Sequence, residues 1–171
     1  LSQDETYKEA MKLLDQSLNE VRKTAHNLMP ELLLQHGLPE AVRVFCNHIQ
    51  KLGQIRVDFQ YYGFIGRLNQ GFELFIYRVV QELIQNILKH AHASNVLLQL
   101  SLHDNIFNLT IEDDGVGIAE MNTANGSGLT SIRNRIRELS GEFNISSEPG
   151  KGTSIVIEFD LQTQQMLVHE H

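Results

Sequence analysis

The chain has 171 residues, 42% of them hydrophobic and 20% charged, enough for one domain with an appended element. No window approaches the roughly 18 uninterrupted apolar residues of a membrane-crossing helix. Its 14 Lys and Arg against 21 Asp and Glu leave a formal charge of −7, which repels nucleic-acid phosphates. The lone Cys46 sits among Ala41, Val42, Val44 and Phe45 and reads as a small core residue, with no partner for an intramolecular disulfide. The start at Leu1, without a basic and apolar leader, reads as a piece of something longer.

From Tyr7 the apolar and small positions Met11, Leu14, Leu18, Val21, Ala25 and Leu28 follow at alternating spacings of four and three, a heptad seam. This pattern predicts a helix that pairs with others in a bundle or dimer, against the plainer alternative of a helix lying on its own domain. Pro30 and Gly37 break the seam, and Pro39 can open a second helix reaching about Leu52.

Beyond Gly53 the period changes. Ile55, Val57, Phe59 and Tyr61 alternate with Arg56, Asp58 and Gln60, predicting a strand with one buried face. A loop with Gly63 and Gly66 leads to a mostly buried helix over about Gln70–Ala91. Two strands follow, about Asn95–Leu102 and Ile106–Glu112, joined as a hairpin through His103, Asp104 and Asn105. After a Gly-rich stretch come a helix over Leu129–Leu139, stopped by Gly141, and two strands, Glu142–Ser147 and Thr153–Asp160. Hairpin-linked strands with helices on one face predict an α+β fold, a two-layer sandwich with a mixed, largely antiparallel sheet. The expected units are residues 1–37, a helix and its exit; 38–161, the main domain; and 162–171, a polar tail.

Three glycine clusters carry the chemistry: Asp113-Asp114-Gly115-Val116-Gly117, Gly126-Ser127-Gly128-Leu129 and Gly150-Lys151-Gly152-Thr153. The last is not a phosphate loop, because the first glycine of that motif falls on Ile145 and no helix follows Thr153. A dinucleotide fingerprint fails as well, since no small residue opening a helix follows Gly117 at the required spacing. Gly126 to Gly128 instead precede the helix at Leu129, where free N–H groups can meet phosphate oxygens. Asp113 ends a buried strand, and a carboxylate there needs donors such as the exocyclic amine of a purine. Glu82 and Asn86 lie four apart on the long helix, with Lys89 and His90 one turn on, a set suited to a hard cation with a polyphosphate. Alone, these residues would read as the wet face of a helix; the apolar surroundings and the glycines reverse that weighting.

The run from Glu82 to Ala91 resembles the N box of the superfamily that joins gyrase, heat-shock-90 chaperones, histidine kinases and mismatch-repair MutL. The three glycine clusters resemble its later boxes, in order, over about residues 54–160. Within it, Asn86 to Ala91, Glu112 to Gly117 and Gly128 to Ile136 resemble sensor histidine kinases of the nitrate-sensor and DesK-like branch. Glu20 to Arg22, Leu28, Pro30, Leu34, Gly37 and Leu38 resemble the second dimerisation helix and its exit, so the branch implies a four-helix bundle formed by a homodimer.

The resemblance implies ATP and Mg²⁺ as cofactors. It places Asn86 on Mg²⁺, Lys89 and His90 on phosphates, and Asp113 on the adenine amine. It has Gly115 and Gly117 admit the base, Gly126, Gly128 and Leu129 serve the lid and phosphates, and Gly152 and Thr153 form the last box, with Thr153 supporting the adenine. Glu82 stands where related ATPases carry a base; in a kinase it would polarise the acceptor imidazole or order the site. Residues 114–127 read as a mobile lid ordered by nucleotide.

The implied activity is transfer of the γ-phosphoryl of ATP to a histidine, then to an aspartate of a response-regulator receiver domain. In this branch the acceptor precedes an acidic residue on the first dimerisation helix, whereas His26 precedes Asn27 in what resembles the second. The acceptor is therefore expected elsewhere in the parent protein, and the chain is expected to bind ATP without phosphorylating itself. The expected location is cytoplasmic, with any membrane attachment supplied by preceding segments. Two other classes fit the same boxes: a water-directed ATPase using Glu82, and a serine kinase resembling anti-sigma factors.

Overall fold

In the computed structural model, residues 31–64, 66–118 and 127–162 are described. The heptad seam from Tyr7 to Leu28, with His26, lies outside them, as does the tail beyond 162. Residues 31–36 are helical. Gly37, at φ 84°, ends that segment, and Pro39 lies in the first turn of α1, Leu38–Lys51, as its fixed φ allows. Ala41, Val42, Phe45, Cys46 and Ile49 form the buried stripe of α1, and Leu33 joins the same core.

Five strands form one sheet: β1 Arg56–Tyr62, β2 Asn95–His103, β3 Ile106–Asp113, β4 Glu142–Glu148 and β5 Gly152–Asp160. Their order is β1-β2-β3-β5-β4, with β1 parallel to β2 and every other pair antiparallel. The α+β sandwich with a mixed, largely antiparallel sheet is thus the observed architecture. Asp104 and Asn105, at φ 50° and 65°, close the β2–β3 hairpin as its two-residue turn.

Alternation sends Val57, Val96, Leu98, Leu100, Phe107, Leu109, Ile111, Ile155, Ile157 and Phe159 into the core. Helices cover that face. The long helix α2, Gln70–Asn86, is capped by Asn69, whose side chain accepts from the N–H groups of Gly71 and Phe72 at 3.0 and 3.2 Å. Its Phe72 meets Phe107 and Phe159 edge-on, each with ring centroids 5.2 Å away. The last helix, α3, Ser127–Glu138, packs against α2 and β4.

The long helix differs from expectation at its end. Ile87–Ala91 forms a π turn, closed by His92 in the left-handed region at φ 49°. The wider turn breaks the i, i+3 and i, i+4 relation that put Lys89 and His90 on the side of Glu82 and Asn86. Ile87 stays buried, while Lys89 and His90 are exposed.

Arg67 ties the entry to this domain. Its guanidinium donates to the carbonyls of Leu34 and Leu33 at 2.8 and 2.9 Å and pairs with Glu73 of α2, a carboxylate only 2% exposed. Gly37 gives it room, since a β-carbon there would lie 3.1 Å from Arg67 Nε.

Candidate functional site

The sheet register assembles a polar row at one end of the core face. Val57, Val96, Asp113, Thr153 and Ser147 are successive neighbours across all five strands. The first two are buried and apolar; the last three are half-buried and polar. Asp113 Oδ1 accepts the N–H of Gly115 at 2.8 Å. The Ser147 hydroxyl accepts the N–H of Ile118 at 2.8 Å, donates to the Gly152 carbonyl at 3.0 Å and lies 3.0 Å from Thr153 Oγ1.

Two adjacent carboxyls are tuned oppositely. Burial raises the pKa of Asp113 above the usual carboxylate value, and the charge of Asp114 adds to this against the N–H groups of Gly115 and Thr153. Asp114 lies below the usual value because backbone and side-chain donors of Asn95, with the Ser94 N–H, hold its ionised form. Asp114 thereby fastens the chain where it enters β2. The sequence reading missed this role, although a second aspartate before a glycine turn is a common backbone acceptor.

The glycines expected to admit a base also have protein against them. A β-carbon on Gly115 would lie 2.2 Å from the Ala91 carbonyl oxygen, and one on Gly117, at φ 70°, 2.3 Å from that of Glu148. A β-carbon on Gly152, at φ 87°, would fall 1.8 Å from the Asp113 carbonyl oxygen. Around them the Val116 N–H donates to the Ala91 carbonyl at 2.8 Å, and the Gly150 N–H to that of Val116 at 2.7 Å. Backbone bonds and the Ser147 hydroxyl thus anchor residues 114–118, so the stretch expected to be mobile is tied down over its first part. Residues 119–126, Gly126 among them, lie outside the described residues.

A second group forms where α3 begins. A β-carbon on Gly128 would lie 2.8 Å from Glu82 Oε1 and 3.5 Å from Asn86 Nδ2, so the glycine, the carboxylate and the amide meet. Asn86 Nδ2 is buried without a partner among the described residues, which leaves the amide hydrogen-bonding capacity for a ligand. Glu82 and Gly128 also line a groove of about 720 Å³ between α2 and α3, with Phe75, Arg78, Ile132 and Arg135 on its walls. Asn86, Asp113 and Thr153 do not line it. Leu129 packs on the core rather than standing free. Lys89 and His90 are exposed, and neither side chain makes a hydrogen bond or ion pair with another described residue.

The two groups are joined by the π turn, which starts after Asn86 and ends at Ala91, whose carbonyl receives Val116. One face thus offers acceptors at the Asp113 end and a carboxylate, an amide and a helix start at the other. That combination suits a ligand with an amine at one end and anionic oxygens at the other.

The model of the family described as "Histidine kinase-, DNA gyrase B-, and HSP90-like ATPase" matches residues 71–163, more than half of the chain. The signal transduction histidine-protein kinase/phosphatase DegS of Brevibacillus brevis is 31% identical over 95% of this chain and 43% of its own length. The sensor histidine kinase ComP of Bacillus subtilis is 35% identical over 82% of this chain and 19% of its own. The chain therefore spans less than half of these relatives. Among solved structures, the histidine kinase domain of the Erythrobacter litoralis EL346 blue-light activated histidine kinase superposes with a TM-score of 0.66. That match has 26% identity and covers 78% of this chain and 65% of that one.

Proposed function

Because the chain belongs to the histidine kinase-, DNA gyrase B- and HSP90-like ATPase family, we propose that it is the ATP-binding catalytic domain of a sensor histidine kinase. In this reading it transfers the γ-phosphoryl of ATP to a histidine elsewhere in the parent protein, for relay to an aspartate of a response-regulator receiver domain. The parent protein works as a homodimer in the cytoplasm, with any membrane attachment through other segments. The meeting of Gly128 with Glu82 and Asn86 carries the proposal, since it sets a carboxylate and an amide against the start of α3.

Each residue has a task in this reading. Asp113 accepts from the adenine amine, and Thr153, its register neighbour, supports the base. N–H groups at the start of α3 receive phosphate oxygens. Lys89 and His90, exposed on the π turn, swing toward the phosphates, Lys89 with its ammonium and His90 with a ring N–H. Glu82 accepts the N–H of the incoming imidazole, so that its other nitrogen meets phosphorus with a lone pair. The protein supplies positioning and charge rather than covalent chemistry.

The donor set fits a magnesium ion carried with the nucleotide. No group of three or more His, Cys, Asp or Glu among the described residues could hold a metal. Asn86 would hold the ion through its amide oxygen, a hard ligand suited to magnesium. When bound, such an ion would supply positive charge against the negative charge that develops in transfer.

The test is binding of a fluorescent ATP analogue with and without Mg²⁺, repeated on Asp113→Asn. Mg²⁺-dependent binding that collapses in the variant supports the reading; binding indifferent to both overturns it. With labelled ATP and Mg²⁺, the chain alone should retain no acid-labile, base-stable label.

A further inference from the structure

We propose that Ser147 sets the hydrogen-bond polarity of the base-binding end, leaving Thr153 an acceptor only, and thereby makes the site select an amino-purine over its oxo counterpart. The inference rests on the reading that Asp113 and Thr153 face the base.

A count of protons carries it. A serine hydroxyl has one proton to give and two lone pairs to offer. The Ile118 N–H can only donate, so it occupies one lone pair of Ser147 Oγ at 2.8 Å. The Gly152 carbonyl can only accept, so it takes the single proton at 3.0 Å. Thr153 Oγ1, also 3.0 Å away, is left to donate to the second lone pair. The Thr153 proton is thus committed inward to Ser147, and only lone pairs remain for a ligand. Beside it on the same row stands Asp113, whose ionised carboxylate also only accepts.

Two acceptors side by side match an exocyclic amine, which has two N–H groups. A carbonyl oxygen in the amine's place meets lone pairs from both sides and stays unpaired, the kind of mismatch a polar site rejects strongly. Ser147 touches no ligand in this scheme and is a positioning residue. Removing its hydroxyl frees the Thr153 proton to turn toward the site and donate to an oxo group.

The experiment measures dissociation constants of ATP and of inosine triphosphate by competition with a fluorescent ATP analogue. It uses the wild-type chain, Ser147→Ala, Ser147→Thr and Asp113→Asn, with thermal melts to verify folding. Ser147→Ala should narrow the preference for ATP about tenfold, the value of one hydrogen bond, chiefly through tighter inosine triphosphate binding. Ser147→Thr, which keeps the hydroxyl, should restore the wild-type ratio. An unchanged ratio in folded Ser147→Ala, or an equal loss for both nucleotides, overturns the proposal. If Ser147→Ala does not fold, wild type decides with purine riboside triphosphate, which has no group at that ring position. It should bind more tightly than inosine triphosphate, and the reverse order overturns the proposal. Should Asp113→Asn leave ATP binding and the ratio untouched, the base-site reading fails, an outcome distinct from failure at Ser147.

Discussion

Gly128 and Glu82 share one space: a β-carbon on the glycine would stand 2.8 Å from the carboxylate Oε1. The obstructed atom is the end of a flexible side chain, so Gly128→Ala should fold, helped by the up to about 1 kcal/mol by which alanine favours a helix over glycine. What it costs is the placement of Glu82. Displacing that carboxylate by about an ångström should slow phosphoryl transfer about 10²-fold in the parent kinase while the melting temperature holds or rises. Transfer kinetics and a melt on the same variant check this. If the domain works on water instead, Glu82→Gln should abolish steady phosphate release.

Gly152 is different because the obstruction is backbone. Its missing β-carbon would fall 1.8 Å from the Asp113 carbonyl oxygen, in a left-handed conformation besides. Gly152→Ala should destabilise by more than about 3 kcal/mol, as overpacking and strain combine. Gly150 shares the left-handed φ, at 75°, but has open space around it. Gly150→Ala should cost only the conformational strain of about 1–2 kcal/mol. Paired denaturant melts compare the two, and equal losses contradict the packing account.

Asp113 trades stability for binding. Its pKa is raised in the fold, so ionisation at neutral pH weighs against the native state, a cost that disappears as pH falls and the group is protonated. Asp113→Asn should therefore melt no lower than wild type at pH 7. The same variant should weaken ATP binding about 10- to 10²-fold, as expected for a lost charge-assisted hydrogen bond. In wild type, affinity should fall on acidification at a higher pH than an ordinary carboxylate would give, because the amine needs the ionised acceptor. A binding titration against pH checks the sign.

Arg67 and Glu73 form a pair that is half in water. The side chain of Glu73 is 2% exposed and that of Arg67 42%, so the loss on removing the arginine lies below that of a fully buried pair. Arg67→Ala should cost about 2–3 kcal/mol, leaving Glu73 with the Leu68 N–H and two helix-end carbonyls uncapped. Arg67→Lys should recover less than half, since an ammonium cannot span both carbonyls and the carboxylate. Urea melts of both variants measure this.

Cys46 should be inert in the folded protein. Burial pushes its thiol up to about 12, so little thiolate exists at pH 8. Iodoacetamide should label it only in denaturant, and rapid native labelling would contradict its place in the core.

Much of this was legible because the periods were clean. Val57 and Phe59 alternate with Asp58 and Gln60, and Val96, Leu98 and Leu100 recur at every second position, so such strands can face a core in only one register. Glu82 and Asn86 stand out as one set on the helix and Gly128 as part of a glycine cluster, and the three meet in space. The π turn was hidden, since Ile87 to Ala91 continues an ordinary helical pattern, and the Val116 N–H that meets the Ala91 carbonyl at its end lies 25 residues further along the chain. Ser147 was hidden as well, because a serine on a strand shows nothing until β5 brings Thr153 beside it. Close packing of Gly115 and Gly152 against distant carbonyls was equally invisible, for it depends on segments far apart in the chain.

The stitching of Ala91, Val116 and Gly150 has a thermodynamic consequence. These residues come from the end of a helix, the exit of a central strand and the turn joining β4 to β5, so the acceptor row exists only when the whole sheet does. No partly folded form can retain the ligand, and occupancy is felt by the entire cooperative unit. A nucleotide held at 100 times its dissociation constant should thus add about 2.7 kcal/mol to global unfolding, and protect even the slowest-exchanging amides of β3.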